Sequence, residues 1–583
     1  MFTDSVQDAA HRAAFIEGRA FQFNFRSALV GAVAGPSSRL TKVAANLTGE
    51  ATDRDRYALA PPDFVRRKNL HGEWLTHDKG RRRRKLLAGR IAFQVHLELG
   101  LSSRLGRTLE LTGAAGVEVN VDLGAAADLA RDIHQNLPEG GFPTTSPLAY
   151  RRWLLGLLEH LRTRGGIHHR WLDRYIADDG RRWSIWGASA DGMPKFPRGR
   201  PAPGFFTTGP AADTEFIGLR PRGESWVTDW TRRCLGVATA EARALLSPVV
   251  DALAGETGPL DRRTSGSGAK VYGLRPERVL LHTEQVRLQC PLCHHLQPST
   301  LGRQELWDGA PCPRMRCEGS LGLIGPEPVN FYRTLYRSGR IRRIVTHEHT
   351  GLLDRTTRAD VERTFTAGTS PVAPNILTCT PTLELGIDIG DLSTVALASL
   401  PRATANYLQR VGRAGRSTGN AFVFTAVPSS PRDLYYFAEP RHLIDGEVTP
   451  PGAYLNATEI LQRQFFGSCL DRVAAGDLPI GPVMPPLLGQ LLTGGLDDGA
   501  WLRAVLDAVE ADADKLGAQF LAGYGTDLEV TAAAAIRSFA AGGLRAAAAH
   551  VVLDWKTRAE EIAVRLTALA AAITELDGKG SPW

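Results

Sequence analysis

Between residues 340 and 425 the chain alternates in a way that few folds permit. The stretches "RIRRIVTHEHTG", "NILTCT", "LSTVALAS" and "AFVFTAV" are short apolar runs rich in β-branched residues. Helical segments such as "TRADVERTFTAG" and "TANYLQRVGRAG" separate them. Strands that alternate with helices predict βαβ units and a parallel sheet, hence an α/β fold. Ligands of such open sheets bind beyond the carboxyl ends of the strands.

Two stretches of this region carry chemistry. In "TCTPTLELGIDIGDLSTV", Thr378, Thr380 and Thr382 fall where a strand should end, and Gly386 and Gly390 flank Asp388. Hydroxyls and backbone N–H groups at such a place can hold phosphates, and Asp388 can accept a hydrogen bond from a sugar hydroxyl. A little further on, "NYLQRVGRAGRS" brings Arg410, Arg413 and Arg416 together. A glycine costs about 1 kcal/mol in a helix interior, so Gly412 and Gly415 suggest that a backbone or a ligand approaches closely. Guanidinium groups match phosphate oxygens as a bidentate fork. The plainer alternative for Arg413 and Arg416 is an exposed ion-pair face.

The chain has 583 residues, enough for about four domains at roughly 150 residues each. Hydrophobic residues make up 43% and charged residues 22%, an ordinary globular balance. No apolar run approaches the roughly 20 residues that span a bilayer. The first residues lack the basic start and apolar centre of a signal peptide, so a cytoplasmic, bacterial location with no membrane partner is expected. The net charge of +7 and pI of about 9.1 mildly favour a polyanionic partner. "MFT" reads as the end of a strand and "DSVQDAAHRAAFIEG" as a helix capped by Asp4 or Ser5, with Asp8 in the first turn. A strand usually needs about five residues, so the expectation is the rear part of a longer protein, or one with its start misplaced.

These stretches resemble superfamily 2 DEAD/DEAH-box helicases. Phe2-Thr3-Asp4-Ser5 resembles motif IV, Thr380–Asp388 motif V and Gln409–Arg416 motif VI, while His347–Gly368 looks like the segment before motif V. "RDLYYFAEPRHLIDGEVTPPGAYLNATEILQRQFF" resembles the segment after the lobe in the YprA/MrfA-like branch, whose large bacterial members include helicases of phage-defence systems. The resemblance implies a discontinuous second RecA-like lobe (1–30 and 335–430). It also implies ATP with Mg²⁺ as cofactor and DNA or RNA as partner. Arg413 and Arg416 would act as arginine fingers on the γ-phosphate, each worth about 10³–10⁵ in rate. Gln409 would sense the nucleotide and Asp388 its ribose, with Gly386 also nucleotide-binding, and Thr380 and Thr382 would touch the nucleic-acid backbone. The sequence departs from the family pattern in lacking G-x-x-x-x-G-K-[ST] and an acidic DEAD/DEAH box. Both belong to the first RecA-like lobe, expected upstream or on a separate chain, so this chain alone is expected not to hydrolyse ATP.

A large mixed insertion separates the two parts of that lobe. Residues 31–225 read as mostly helical, with "YRRWLLGLLEHLRTRG" placing Trp153, Leu154, Leu157, Leu158 and Leu161 at helical spacing. The run Arg81, Arg82, Arg83, Arg84 and Lys85 is either a solvated face or a nucleic-acid contact. Trp183, Trp186, Phe196, Phe205 and Phe206 sit in a Pro- and Gly-rich loop, where they fill a core or stack bases. His168, His169 and Trp171 are expected to pack a helix, and His347-Glu348-His349 to form a turn. Residues 226–285 have the order helix, helix, hairpin, with Thr239 as a cap, which suggests a winged helix or a generic α/β insert. Within 286–325, Cys290 and Cys293 form one pair and Cys312 and Cys317 another, the spacing of a structural Zn²⁺ site built from two knuckles, a zinc ribbon. His294 and His295 could substitute as ligands, and an iron–sulfur cluster also takes four thiolates. Cys234, Cys379 and Cys469 read as buried thiols. Residues 431–583 read as a helical C-terminal region. Two functions follow: a motor lobe with accessory nucleic-acid-binding domains, or a non-catalytic winged-helix and zinc-ribbon binding module.

Overall fold

The structure is a computed structural model that describes residues 1–3, 5–49, 58–67, 80–138, 145–186, 192–197, 199–211, 214–220, 223–325, 330–340, 342–369, 373–381, 389–390, 392–416, 418–448 and 454–578. Helix α1 (Val6–Gly31) begins where Ser5 Oγ accepts from the Asp8 amide at 3.1 Å. Ser5 is therefore the cap; Asp4 lies outside the described residues. The helix serves two cores. Its first half carries buried Ala9 and Ala13, whose carbonyls accept from Thr378 Oγ1 (2.8 Å) and Thr346 Oγ1 (2.6 Å). Its second half buries Phe25, Ala28 and Leu29 in the large core of the insertion. There Arg26 and Glu98 pair at 2.5 Å, both almost fully buried.

Glu98 lies on α2 (Gly80–Leu99). Helix α3 (Pro147–Thr163) starts at Ser146, which accepts from the Ala149 amide, with Pro147 in its first turn. Trp153, Leu154, Leu157, Leu158 and Leu161 are all buried, as their spacing predicts. Gly156 is needed for close packing, because a Cβ there would lie 2.2 Å from the Trp230 ring. Trp230 belongs to α4 (Trp226–Leu235), and α5 (Thr239–Ala252) follows. Thr239 starts α5 but does not cap it; the cap position is Ala238, with no side-chain bond.

The hairpin β1 (Leu260–Thr264) and β2 (Lys270–Leu274) completes the helix, helix, hairpin order. It is not a free wing. β2 also pairs with Phe206–Thr207, and a four-stranded sheet results with Ile217–Gly218 at its far edge. A second sheet sandwiches Val279–His282 between Ser37–Arg39 and Gly116–Val119. One hydrophobic cluster runs from Phe25 to Tyr336 and includes Cys290, Cys312 and Cys317. The expected divisions at 225/226 and 285/286 therefore do not separate independent cores, and 31–225 supplies strands as well as helices. Phe196, Phe205 and Phe206 are buried, whereas Trp183 and Trp186 are 54% and 39% exposed. His168 packs on the Phe205 ring and faces Asp261 of β1 at 3.1 Å, so it joins the hairpin rather than a helix. His169 caps a short turn through the Trp171 amide.

The next strands form an α/β RecA-like sheet. β3 (Val286–Gln289) and β4 (Leu296–Ser299) precede it as an antiparallel hairpin. Then come β5 (Thr346–His349), α6 (Arg355–Ala367), β6 (Ile376–Cys379), β7 (Thr394–Leu397), α7 (Thr404–Val411) and β8 (Phe422–Thr425). β5 pairs with β6 and β7 with β8, both in parallel. Phe2 bridges β6 and β7, again in parallel, so Met1–Thr3 is the central strand. His347-Glu348-His349 lies within β5, not in a turn, and His349 is fully buried 2.7 Å from Glu362 of α6. Cys379 and Cys469 are buried and Cys234 half-buried.

A separate compact unit covers Thr449–Trp583, so the division falls after Val448 rather than at 431. It is helical around Leu461, Phe465, Val505, Val509 and Ile536, and ends in the long helix α8 (Leu544–Gly578). Among the described residues, no helix is long and apolar enough to cross a membrane. Glu98→Ala is expected to lower stability by about 3–5 kcal/mol by leaving the Arg26 charge buried without its carboxylate; denaturant unfolding measures it.

Candidate functional site

The central strand is held on both edges. Phe2 N donates to Ala396 O, Thr3 N to Cys379 O and Cys379 N to Met1 O, each at 2.8 Å, and Ala398 N to Phe2 O at 2.9 Å. Thr380 follows β6 at the carboxyl edge of the sheet and is buried. Thr382, Gly386 and Asp388 lie outside the described residues. The chain is described again at Ile389, Gly390 and Leu392, on its way into β7.

Helix α7 then returns the chain to the opposite edge. Its exposed Gln409 and buried Arg410 precede the loop Gly412–Arg416. That loop pairs with the approach to β7: Gly415 N donates to Leu392 O at 2.8 Å, and Leu392 and Ala414 form a parallel bridge. Phe2, Cys379 and Leu397 share one level of the sheet. Leu392 stands five residues before Leu397, about 16 Å along the strand direction at roughly 3.3 Å per residue. The arginine loop therefore sits at the amino edge, opposite Thr380 at the carboxyl edge. The reason is geometric: a helix between parallel strands runs back against them, and residues after it emerge at the amino ends.

The glycines serve the chain's own backbone. A Cβ on Gly412 would lie 2.8 Å from Leu408 O, and one on Gly415 3.0 Å from the Asn420 backbone. Gly415 also has φ +71°, a conformation that L side chains rarely adopt. The two arginines differ. Arg413 is 7% exposed, whereas Arg416 is exposed with Nε donating to Gly412 O at 2.9 Å. Arg410 is buried with its guanidinium 5.5 Å from the Phe2 ring centre, so the arginine segment packs directly on the central strand.

The four cysteines meet as their spacing predicts. After β3, Cys290 N donates to His295 O (3.0 Å) and His294 N to Cys290 O (2.9 Å), with His294 at φ +57°. In the second knuckle Cys312 N donates to Gly319 O (2.8 Å) and Cys317 N to Arg314 O (3.1 Å). Arg316, at φ +60°, turns the longer spacing back so that Cys317 reaches the others. All four sulfurs lie within 4.8 Å of one another, with Cys290 to Cys317 at 3.8 Å and Cys293 to Cys312 at 3.5 Å. A tetrahedral ion with Zn–S near 2.3 Å places its sulfurs about 3.8 Å apart. The cluster is compatible with one such ion, and a multi-iron cluster would need the sulfurs further apart. His294 and His295 are not part of the group.

Three supporting residues escape sequence reasoning. Arg233, paired with Asp229 at 2.8 Å, donates to Cys312 O and Cys317 O at 2.6 and 2.9 Å. Its distance along the chain hides this role. Gly319 leaves room for the cysteine group, since a Cβ there would lie 2.5 Å from Cys290 Sγ. A glycine just after the last cysteine was the available signal. Trp226 Nε1 donates to Pro313 O at 2.7 Å and stacks on His160 with ring centres 3.8 Å apart. Burial pushes His160 down to about 3, so that ring is neutral. The basic run falls at the start of α2; Arg84 is half-buried and Lys85 exposed. The side chains of Arg81, Arg82 and Arg83 lie outside the described residues.

Residues 329–418 match the helicase conserved C-terminal domain. Over 222 residues (33% of the chain) the sequence is 30% identical to Druantia protein DruE of Escherichia coli (strain UMEA 4076-1), covering 12% of that protein. It is 41% identical over 66 residues (11% of the chain) to ATP-dependent helicase HRQ1 of Saccharomyces cerevisiae (strain ATCC 204508 / S288c), covering 6% of it. It is also 32% identical over 82 residues (14% of the chain) to the uncharacterized ATP-dependent helicase YprA of Bacillus subtilis (strain 168), covering 11%. The chain thus aligns with only a small part of each relative's length.

Burial separates the two arginines in a measurable way. Arg416→Ala is expected to change unfolding free energy by no more than about 0.5 kcal/mol. Arg413→Ala is expected to cost about 1–3 kcal/mol, because it removes a buried charged donor. Equilibrium denaturation of the two variants compares them.

Proposed function

We propose that this chain, which carries the C-terminal part of a superfamily 2 helicase, supplies the second motor lobe and accessory nucleic-acid-binding surfaces of an ATP-dependent helicase or translocase. One observation carries the reading. The backbone pairing of Leu392 with Ala414 holds the arginine loop beside the segment that follows Asp388 and leaves Arg416 exposed. In this reading Arg416 reaches the γ-phosphate of an ATP·Mg²⁺ held by a first RecA-like lobe, and Arg413 braces the loop from within while adding positive potential. Gln409, Gly386 and Asp388 complete the nucleotide contacts from this side. The Walker-type groups come from the other lobe, since this sequence has none.

Nucleic acid binds elsewhere on the same sheet. Thr380, with Thr382, contacts the strand backbone from the carboxyl edge, and the basic run Arg81–Arg84 adds phosphate contacts from the insertion. Separation of the two edges lets lobe closure over ATP move a strand held at the other side. Lobe residues 1–30 and 335–430 move as one body with the insertion through α1.

Zn²⁺ fills the Cys290, Cys293, Cys312 and Cys317 group as a structural ion. Four thiolates leave no open position for water or substrate, so the ion closes the two knuckles and takes no part in hydrolysis.

Two experiments test the reading. In a motor restored with a first lobe, Arg416→Ala is expected to lower the ATPase kcat by about 10³-fold or more while leaving DNA affinity unchanged; unchanged turnover removes the finger role. One zinc per chain is expected by metal analysis. Gly319→Ala is expected to weaken its retention against a chelator by about tenfold or more, and an absence of zinc in the wild-type chain contradicts the site.

A further inference from the structure

Along α8 the residues Val552, Trp555, Ala559, Ile562, Leu566, Leu569 and Ile573 recur at alternating intervals of three and four. That is the a/d spacing of a coiled-coil seam. Only the start of the seam is covered by its own unit. Val552 is 6% exposed and Trp555 packs on the helical core, where the packed residues of α8 end. Ile562, Leu566, Leu569 and Ile573 are 56%, 63%, 61% and 52% exposed. A lone helical extension of this length is marginal in water.

The exposed part reads the same from either end: isoleucine, leucine, leucine, isoleucine, at intervals of four, three and four. An antiparallel partner of the same sequence sets Ile562 against Ile573 and Leu566 against Leu569 at every layer, a self-complementary two-fold interface. The flanks agree. Ala563, Ala570 and Ala572 beside the seam allow the two axes to come close. The cations beside it, Lys556, Arg558 and Arg565, lie toward one end. Antiparallel pairing moves the two cationic ends apart and places the two helical bodies at opposite ends. Parallel pairing would crowd both.

We propose that α8 pairs with α8 of a second copy of this chain as a short antiparallel coiled coil through Ile562, Leu566, Leu569 and Ile573. Sedimentation equilibrium of the whole chain is expected to show a concentration-dependent dimer. Leu566→Glu with Leu569→Glu is expected to raise the dissociation constant by about 100-fold or more by burying charge in the seam. Both residues are exposed in the single chain and lie beyond the packed helical core, so the near-ultraviolet circular dichroism of that core should not change. Cross-linking reads the orientation. From Ile562 to Ile573 the helix rises about 17 Å, and a disulfide needs Cα atoms within about 7 Å. Oxidised mixtures of Ile562→Cys and Ile573→Cys are therefore expected to cross-link, while each variant alone does not. A monomer at all concentrations, an unaffected dimer in the double variant, or self-cross-linking of either single variant overturns the proposal.

Discussion

Four backbone hydrogen bonds, and a fifth from the Met1 amino group to Leu377 O, fasten the first three residues of the chain between strands from the far end of the same unit. Everything else in that unit must accommodate this closure. Residues 31 to 345 leave after the central strand and α1 and return at β5, two strands away in the same sheet, so the insertion has to bring its own ends back to that sheet. Helix α1 makes this possible by belonging to both bodies. Its first turns receive hydroxyl hydrogen bonds from β5 and β6, and its last turns sit in the insertion core with Arg26 on Glu98. The two bodies thus share one continuous helix.

Where local chemistry decides, the sequence was legible. Ser5 caps α1, the apolar stripe of α3 is buried residue by residue, and the cysteine pairs converge. The alternation of strands and helices correctly announced a parallel sheet. Each depends on groups within a few residues of one another or on a strict period. Distant partners were not legible. The histidines of "THEH" look like turn residues because polar side chains break an apolar run, yet Glu362 satisfies His349 across a helix and the strand continues. The hairpin at 260–274 looked like a wing because nothing local reveals that Phe206–Thr207 will pair with its free edge. The limits at 225/226 and 285/286 fall within one core for the same reason, since that core collects side chains from both sides of each.

The arginine segment shows both sides of this divide. Its glycines did signal close approach, but of backbone to backbone rather than of a ligand. Its arginines look alike in sequence, and packing makes them unlike: Arg410 and Arg413 are enclosed and Arg416 is not. Nothing in the sequence shows that the returning helix puts this segment and Thr380 at opposite edges of one sheet. The cysteine group likewise rests on Arg233 and Gly319, which lie outside it.

Hydrogen exchange on a motor that contains both lobes tests the division of the sheet most directly. A non-hydrolysable ATP analogue is expected to slow exchange at residues 412–416 and leave the end of β6 unchanged. Single-stranded DNA is expected to do the reverse. Nucleotide protection at Thr380 with none at Gly412–Arg416 would contradict the assignment.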